Sequence, residues 1–121
     1  MRFFSFLLIF PFIILNGQIQ SPLRKSIDDH KKGIGLWWAG HNGWIIKSDS
    51  LVLSTDILLN YDKRINNPPI TEKELAQILD VSLITHYHKD HFARSVSKVL
   101  VEESNCIFVI PESCIDIAKE L

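Results

Sequence analysis

Six consecutive positions of this chain carry three imidazoles and one carboxylate: His86-Tyr87-His88-Lys89-Asp90-His91. The residues before them, Val81-Ser82-Leu83-Ile84-Thr85, are mostly apolar or β-branched and predict a short buried strand. Side chains alternate faces along extended backbone, so His86 and His88 point the same way. Two neutral imidazoles on one side of a strand end can grip a divalent ion, with zinc the usual guest. Asp90 and His91 follow as the chain leaves the strand. They can turn an oxygen and a further nitrogen toward a second ion. Two metals about 3.5–4 Å apart clamp the oxygens of a bond undergoing hydrolysis.

His-x-His-x-Asp-His after a hydrophobic strand resembles the metal motif of the metallo-β-lactamase-fold hydrolases. The resemblance implies His86 and His88 as ligands of one zinc, and Asp90 and His91 as ligands of the other. It also implies that Asp90 orients the attacking hydroxide, which is its catalytic role. A second stretch carries its own likeness. Leu36-Trp37-Trp38-Ala39-Gly40-His41-Asn42-Gly43-Trp44-Ile45-Ile46-Lys47, then a strand ending in Thr55-Asp56, is similar to the start of a lactonase-like branch of that superfamily. On that likeness Asp56 is a supporting acceptor near the metal loop rather than a ligand. His41 either faces the site or sits in a solvated hairpin turn. The implied fold class is α/β, the N-terminal half of an αββα sandwich: a β-meander followed by α-β-α-β-α. Two zinc ions are expected in the complete domain, and iron or manganese can occupy similar nitrogen-and-oxygen sets.

The elements that must position these residues are legible in order. Ile34–Ala39, Trp44–Lys47 and Leu51–Thr55 predict three short strands, with Asn42-Gly43 as a hairpin signal between the first two. Trp37, Trp38 and Trp44 read as core or sheet-face aromatics. Ile57 to Ile70 is rich in Asn, Asp and Pro and predicts a long loop. Within it Tyr61 and Arg64 could touch substrate, with solvent exposure the default for both. Thr71-Glu72-Lys73-Glu74 is a capping box, and Leu75, Ile78 and Leu79 line one side of the helix it starts. Phe92 to Glu103 shows helical spacing, Cys106–Ile110 predicts a further strand, and Pro111 opens a last helix with Ile115 and Ala118 inward.

Composition bounds the partners. At 121 residues the chain is one small domain at most, and a formal net charge of −1 without a basic stripe gives no support to nucleic-acid binding. A small-molecule substrate is the expected partner. Cys106 and Cys114 read as two buried thiols, with a disulfide the alternative in an oxidising compartment. Met1-Arg2 precedes an almost wholly apolar run, Phe3 to Leu15, of signal-peptide length. Residues 1–17 are therefore expected to be a signal peptide cut after Gly17, without a stable membrane anchor, for export to the periplasm or outside. Residues 18–33 read as a polar leader or short exposed helix, with His30 a surface histidine. Residues 34–121 read as a partial domain.

No histidine follows His91. Asp116 falls in the last helix and reads as a surface carboxylate. The chain thus offers two protein groups per ion, where a catalytic zinc normally has three and a water. The expectation is a dinuclear-zinc hydrolase of a lactone, ester or phosphodiester, present as an N-terminal fragment whose own C-terminal half is the missing partner. The alternative is an exported, non-catalytic metal-binding protein or a remnant lacking the downstream ligands.

Overall fold

The computed structural model describes residues 19–121, so the expected signal peptide, residues 1–17, lies outside the described residues. The element order is α1 (Pro22–Asp29), β1 (Ile34–Gly40), β2 (Gly43–Ser48), β3 (Leu51–Thr55), α2 (Glu72–Ala76), β4 (Val81–Leu83), α3 (Arg94–Glu103), β5 (Ile107–Val109), a 3-10 turn (Glu112–Cys114) and α4 (Ile115–Ala118). Among the described residues the fold is mixed α/β: one five-stranded sheet in the order β1-β2-β3-β4-β5, with four α-helices. The meander β1-β2-β3 is antiparallel, and β4 and β5 join it in parallel.

Tight turns make the meander. Gly40 pairs with Gly43 across a two-residue turn, and the left-handed backbone falls on Gly40 (φ 103°) and His41 (φ 51°) rather than on Asn42-Gly43. Glycine takes that conformation without a Cβ penalty. The capping box forms as expected: the Thr71 hydroxyl accepts from the Glu74 N–H, and the Glu74 carboxylate accepts from the Thr71 N–H.

One face of the sheet is covered. Ala39, Ile45 and Val52 pack against Ile27 of α1, Leu75 and Ala76 of α2, and Val96 and Leu100 of α3 in a single buried cluster. The stretch expected as a polar leader or exposed helix is therefore part of the folded unit. Ser21 and Pro22 start α1, and Ile27 is 1% exposed. Arg24 donates to the Glu74 carbonyl and Lys47 donates to the Ile27 carbonyl. His30 stays near the surface, edge-on to Trp37. The loop after Asp56 also differs from its polar reading, because Ile57, Leu58 and Leu59 are buried in the same core before the chain emerges. A second, smaller cluster of Ile84, Phe92 and Cys114 packs with Ile110 and Ile117 at the end of β4. Ile115, expected inward, is half-exposed, since the last helix splits into a 3-10 turn and a short α-helix that turns Ile117 in instead. Cys106 and Cys114 are free thiols.

The opposite face is open. Ile34, Leu36 and Trp38 of β1, Trp44 of β2, Leu51 of β3, and Ile107 and Val109 of β5 are all exposed, Leu36 at 62% and Ile107 at 63%. Trp38 stands opposite Trp44 in the register, and Val81 and Leu83 stand opposite Ile107 and Val109. The outer sheet surface is thus apolar from one edge to the other among the described residues. No helix among the described residues is long and apolar enough to cross a membrane.

Candidate metal centre

The histidine motif sits in a loop where β4 ends. The strand stops at Leu83, earlier than its apolar run, and Ile84 continues toward β5 through one bond from its N–H to the Val109 carbonyl. Two bonds to the His88 carbonyl then reverse the chain, from the N–H groups of His91 (2.9 Å) and Phe92 (2.7 Å). Phe92 is 2% exposed and anchors the loop in the smaller cluster, which fixes where the preceding side chains stand.

His86 and His88 come together: His86 Nε2 and His88 Nδ1 lie 2.9 Å apart. His91 packs beside them, with its ring centroid 3.9 Å from that of His86. Asp90 Oδ2 lies 3.6 Å from His91 Nε2 and 3.2 Å from His41 Nε2. His41 is therefore both in an exposed turn and facing the motif. The hydrogen bond from His41 holds the Asp90 carboxyl below the usual carboxylate range.

Asp56 organises the loop from beneath. It follows β3, takes a left-handed backbone (φ 44°) and is 5% exposed. Its Oδ1 accepts from the Thr85 N–H at 2.8 Å, and its Oδ2 accepts from the Thr85 hydroxyl at 2.8 Å. His91 Nδ1 lies 2.9 Å from the same Oδ2. A carboxylate only accepts, so His91 carries its proton on Nδ1 and leaves a lone pair on Nε2. That lone pair accepts from the Asn42 amide at 2.9 Å. Thr85 extends the pattern. Its hydroxyl donates to Asp56, so it accepts from His86 Nδ1 at 3.0 Å, which again leaves the outward Nε2 as the acceptor.

This chemistry fits metal ligation in two incomplete halves. Imidazoles that ligate a metal donate their other N–H to a carboxylate, carbonyl or hydroxyl behind them. His91 on Asp56 and His86 on Thr85 have that arrangement. Each half offers two donors, His86 with His88 and Asp90 with His91. No group of three or more His, Cys, Asp or Glu side chains able to hold a metal occurs among the described residues. Asp116 is far out in solvent, its side chain 95% exposed. The side chains of Tyr87 and Lys89 take no part in the hydrogen bonds just described.

Sequence reasoning missed Thr85, Asn42 and the placement of Arg64. Thr85 carried a signal, a hydroxyl at the strand end directly before the first histidine. Asn42 read only as a turn residue. Arg64, expected in solvent, is half-buried, its Nη2 donating to the carbonyls of Ala39 (3.1 Å) and Leu58 (3.0 Å). Tyr61 is 41% exposed, its ring 5.7 Å from that of His41. A scan against protein-family models finds no match to this chain, and a search of curated proteins finds none either.

Proposed function

We propose that this chain is the N-terminal half of a metallo-β-lactamase-fold hydrolase that uses a zinc pair on a lactone or ester, with a phosphodiester as the runner-up substrate. The observation that carries the reading is the contact of His86 Nε2 with His88 Nδ1 at 2.9 Å, beside a His91 whose far nitrogen is bound to buried Asp56. His86 and His88 would hold one ion, Asp90 and His91 the other. Zinc, when bound, supplies Lewis acidity toward a carbonyl or phosphoryl oxygen. Asp90 is half-exposed at the edge of the loop, where a carboxylate can orient a water molecule. Asp56 and Thr85 keep two imidazoles in the tautomers that leave Nε2 outward.

The open apolar sheet face supports the half-domain part of the proposal. A sandwich buries that face against a second sheet about 10 Å away. The remaining donors would arrive with that second sheet. Export rests on residues 1–17 alone.

The shortfall to two donors per ion favours a second reading, a non-catalytic metal-binding chain. Zinc titration of the 121-residue chain, with His88→Ala beside it, tests the shared premise. Equal zinc content in the two, by elemental analysis, removes His88 and the proposal with it. Turnover of simple esters, lactones or phosphodiesters by the zinc-loaded chain would then exclude the non-catalytic reading.

A further inference from the structure

A cavity of about 410 Å³ opens beside the candidate metal centre. It lies within the range of small-molecule sites, about 300–1,000 Å³. Trp38, Leu58, Ile65 and Pro69 give it apolar walls, and Lys63 and Arg64 bring two cations. No carboxylate lines it. His41 stands in its wall and is also the residue bonded to Asp90, so cavity and loop share a border.

Arg64 is set in place rather than left to sample solvent. Its Nη2 is held by the carbonyls of Ala39 and Leu58. The guanidinium lies against Gly40, where a Cβ would come within 2.5 Å of Nη2. None of the ion pairs among the described residues involves Arg64. A guanidinium has five N–H donors, and two carbonyl bonds leave others for a ligand. A fixed, partly buried cation without an anionic partner, at one end of an apolar cavity, suits an oxyanion on a carbon skeleton.

We propose that this cavity binds the anionic end of the substrate. The apolar walls take a short carbon skeleton, Arg64 with Lys63 takes a carboxylate or phosphate group, and the scissile group is directed past His41 toward Asp90. The proposal rests on the hydrolase reading and names its substrate class, an ester or lactone that bears a negative charge.

The test needs neither metal nor turnover, so its failure is distinct from failure of the zinc titration. The Trp38 indole N–H lines up on the His41 carbonyl at 3.0 Å and reports on the cavity. Trp37, on the covered face of the sheet, is the internal control. The full metal-free chain is titrated with phenylacetate, phenyl phosphate and neutral phenylacetamide while the indole resonances are followed by NMR. The expected result is a saturable shift of Trp38, with at least one anion binding tenfold or more tighter than the amide. Arg64→Gln should abolish that preference while leaving phenylacetamide unchanged. Should Arg64→Gln fail to fold, Arg64→Lys carries the test, since an ammonium has three donors and no planar fork: holding both carbonyls leaves it only one for the oxyanion, and a tenfold loss is expected. Preference for the anion over the amide below tenfold, shifts of equal size at Trp37, or retained anion preference in the Arg64 variant that folds would each overturn the assignment.

Discussion

Asp56→Asn puts the tautomer argument to its hardest trial. The substitution keeps shape and volume but converts one acceptor oxygen into a donor. The Thr85 N–H lies 2.8 Å from Oδ1 and can only donate, so the new amide must place its oxygen there. Its NH₂ then occupies the Oδ2 position, facing the Thr85 hydroxyl and His91 Nδ1. Thr85 can rotate its hydroxyl and accept. His91 can accept only by moving its proton to Nε2, which removes the lone pair available to a metal. Loss of such a supporting group typically costs about 10–100-fold in metal affinity. The effect on folding is smaller. Three hydrogen bonds to a charged group become neutral ones, at about 0.5–1.5 kcal/mol each. Relief from burying a carboxylate offsets part of that loss. The net is about 1–2 kcal/mol, or roughly 5–15 °C in Tm for a domain of this size. The assay is zinc titration together with the nitrogen shifts of the His91 ring. If His91 in the Asp56→Asn variant kept its proton on Nδ1 and zinc bound as in the parent chain, the role assigned to Asp56 would be wrong.

Three further outcomes are expected. Thr85→Val keeps the branched shape but takes the acceptor from His86 Nδ1 and a donor from Asp56, so zinc affinity should fall by about tenfold or more while far-UV circular dichroism stays unchanged. Burial alone would raise the Glu74 carboxyl, but hydrogen bonds from Ser21 and Thr71 outweigh it and hold the group below its ordinary 4.5. The stability it contributes is present above pH 4.5 and is lost as pH falls through the lower folded value, so acid melts of the parent should steepen there and those of Glu74→Gln should not. Burial pushes the Cys106 thiol up to about 11, so alkylation of the native chain by iodoacetamide at pH 8 should be much slower than that of the unfolded chain.

How much of this was readable from the chain alone depends on how local the cause is. The β1–β2 turn and the capping box are local, made by residues three or fewer positions apart, and both were legible. Even so, the left-handed turn residues are Gly40 and His41, and the Asn42 side chain bonds His91 across 49 positions. The α1 segment misled for the same reason. Its composition is polar, and only distant groups, Glu74 and Lys47, reveal that it is docked. Ile57–Leu59 has no period to mark it as core, and the Asn and Pro residues after it dominate the reading. In the histidine loop, the closeness of the four motif side chains was legible from their spacing. Thr85 was not assigned a role, since a threonine at a strand end is ordinary until its hydroxyl is seen between Asp56 and His86. Arg64 could not be placed from sequence, because both its partners are backbone carbonyls, which every residue supplies.

The bare side of the sheet bears on how the protein is made. Seven large apolar side chains stand exposed there: Ile34, Leu36, Trp38, Trp44, Leu51, Ile107 and Val109. Covering them would release on the order of 10 kcal/mol, at about 1.5–3 kcal/mol for full burial of each. That rivals the total stability of an ordinary domain, about 5–15 kcal/mol. A nascent chain that has just completed β5 therefore enters a race. If a second sheet covers this face, as proposed, it must arrive before another newly synthesised copy does, and the winner is set by concentration and elapsed time. Native yield would then follow synthesis rate and chaperone supply more closely than it follows the melting temperature.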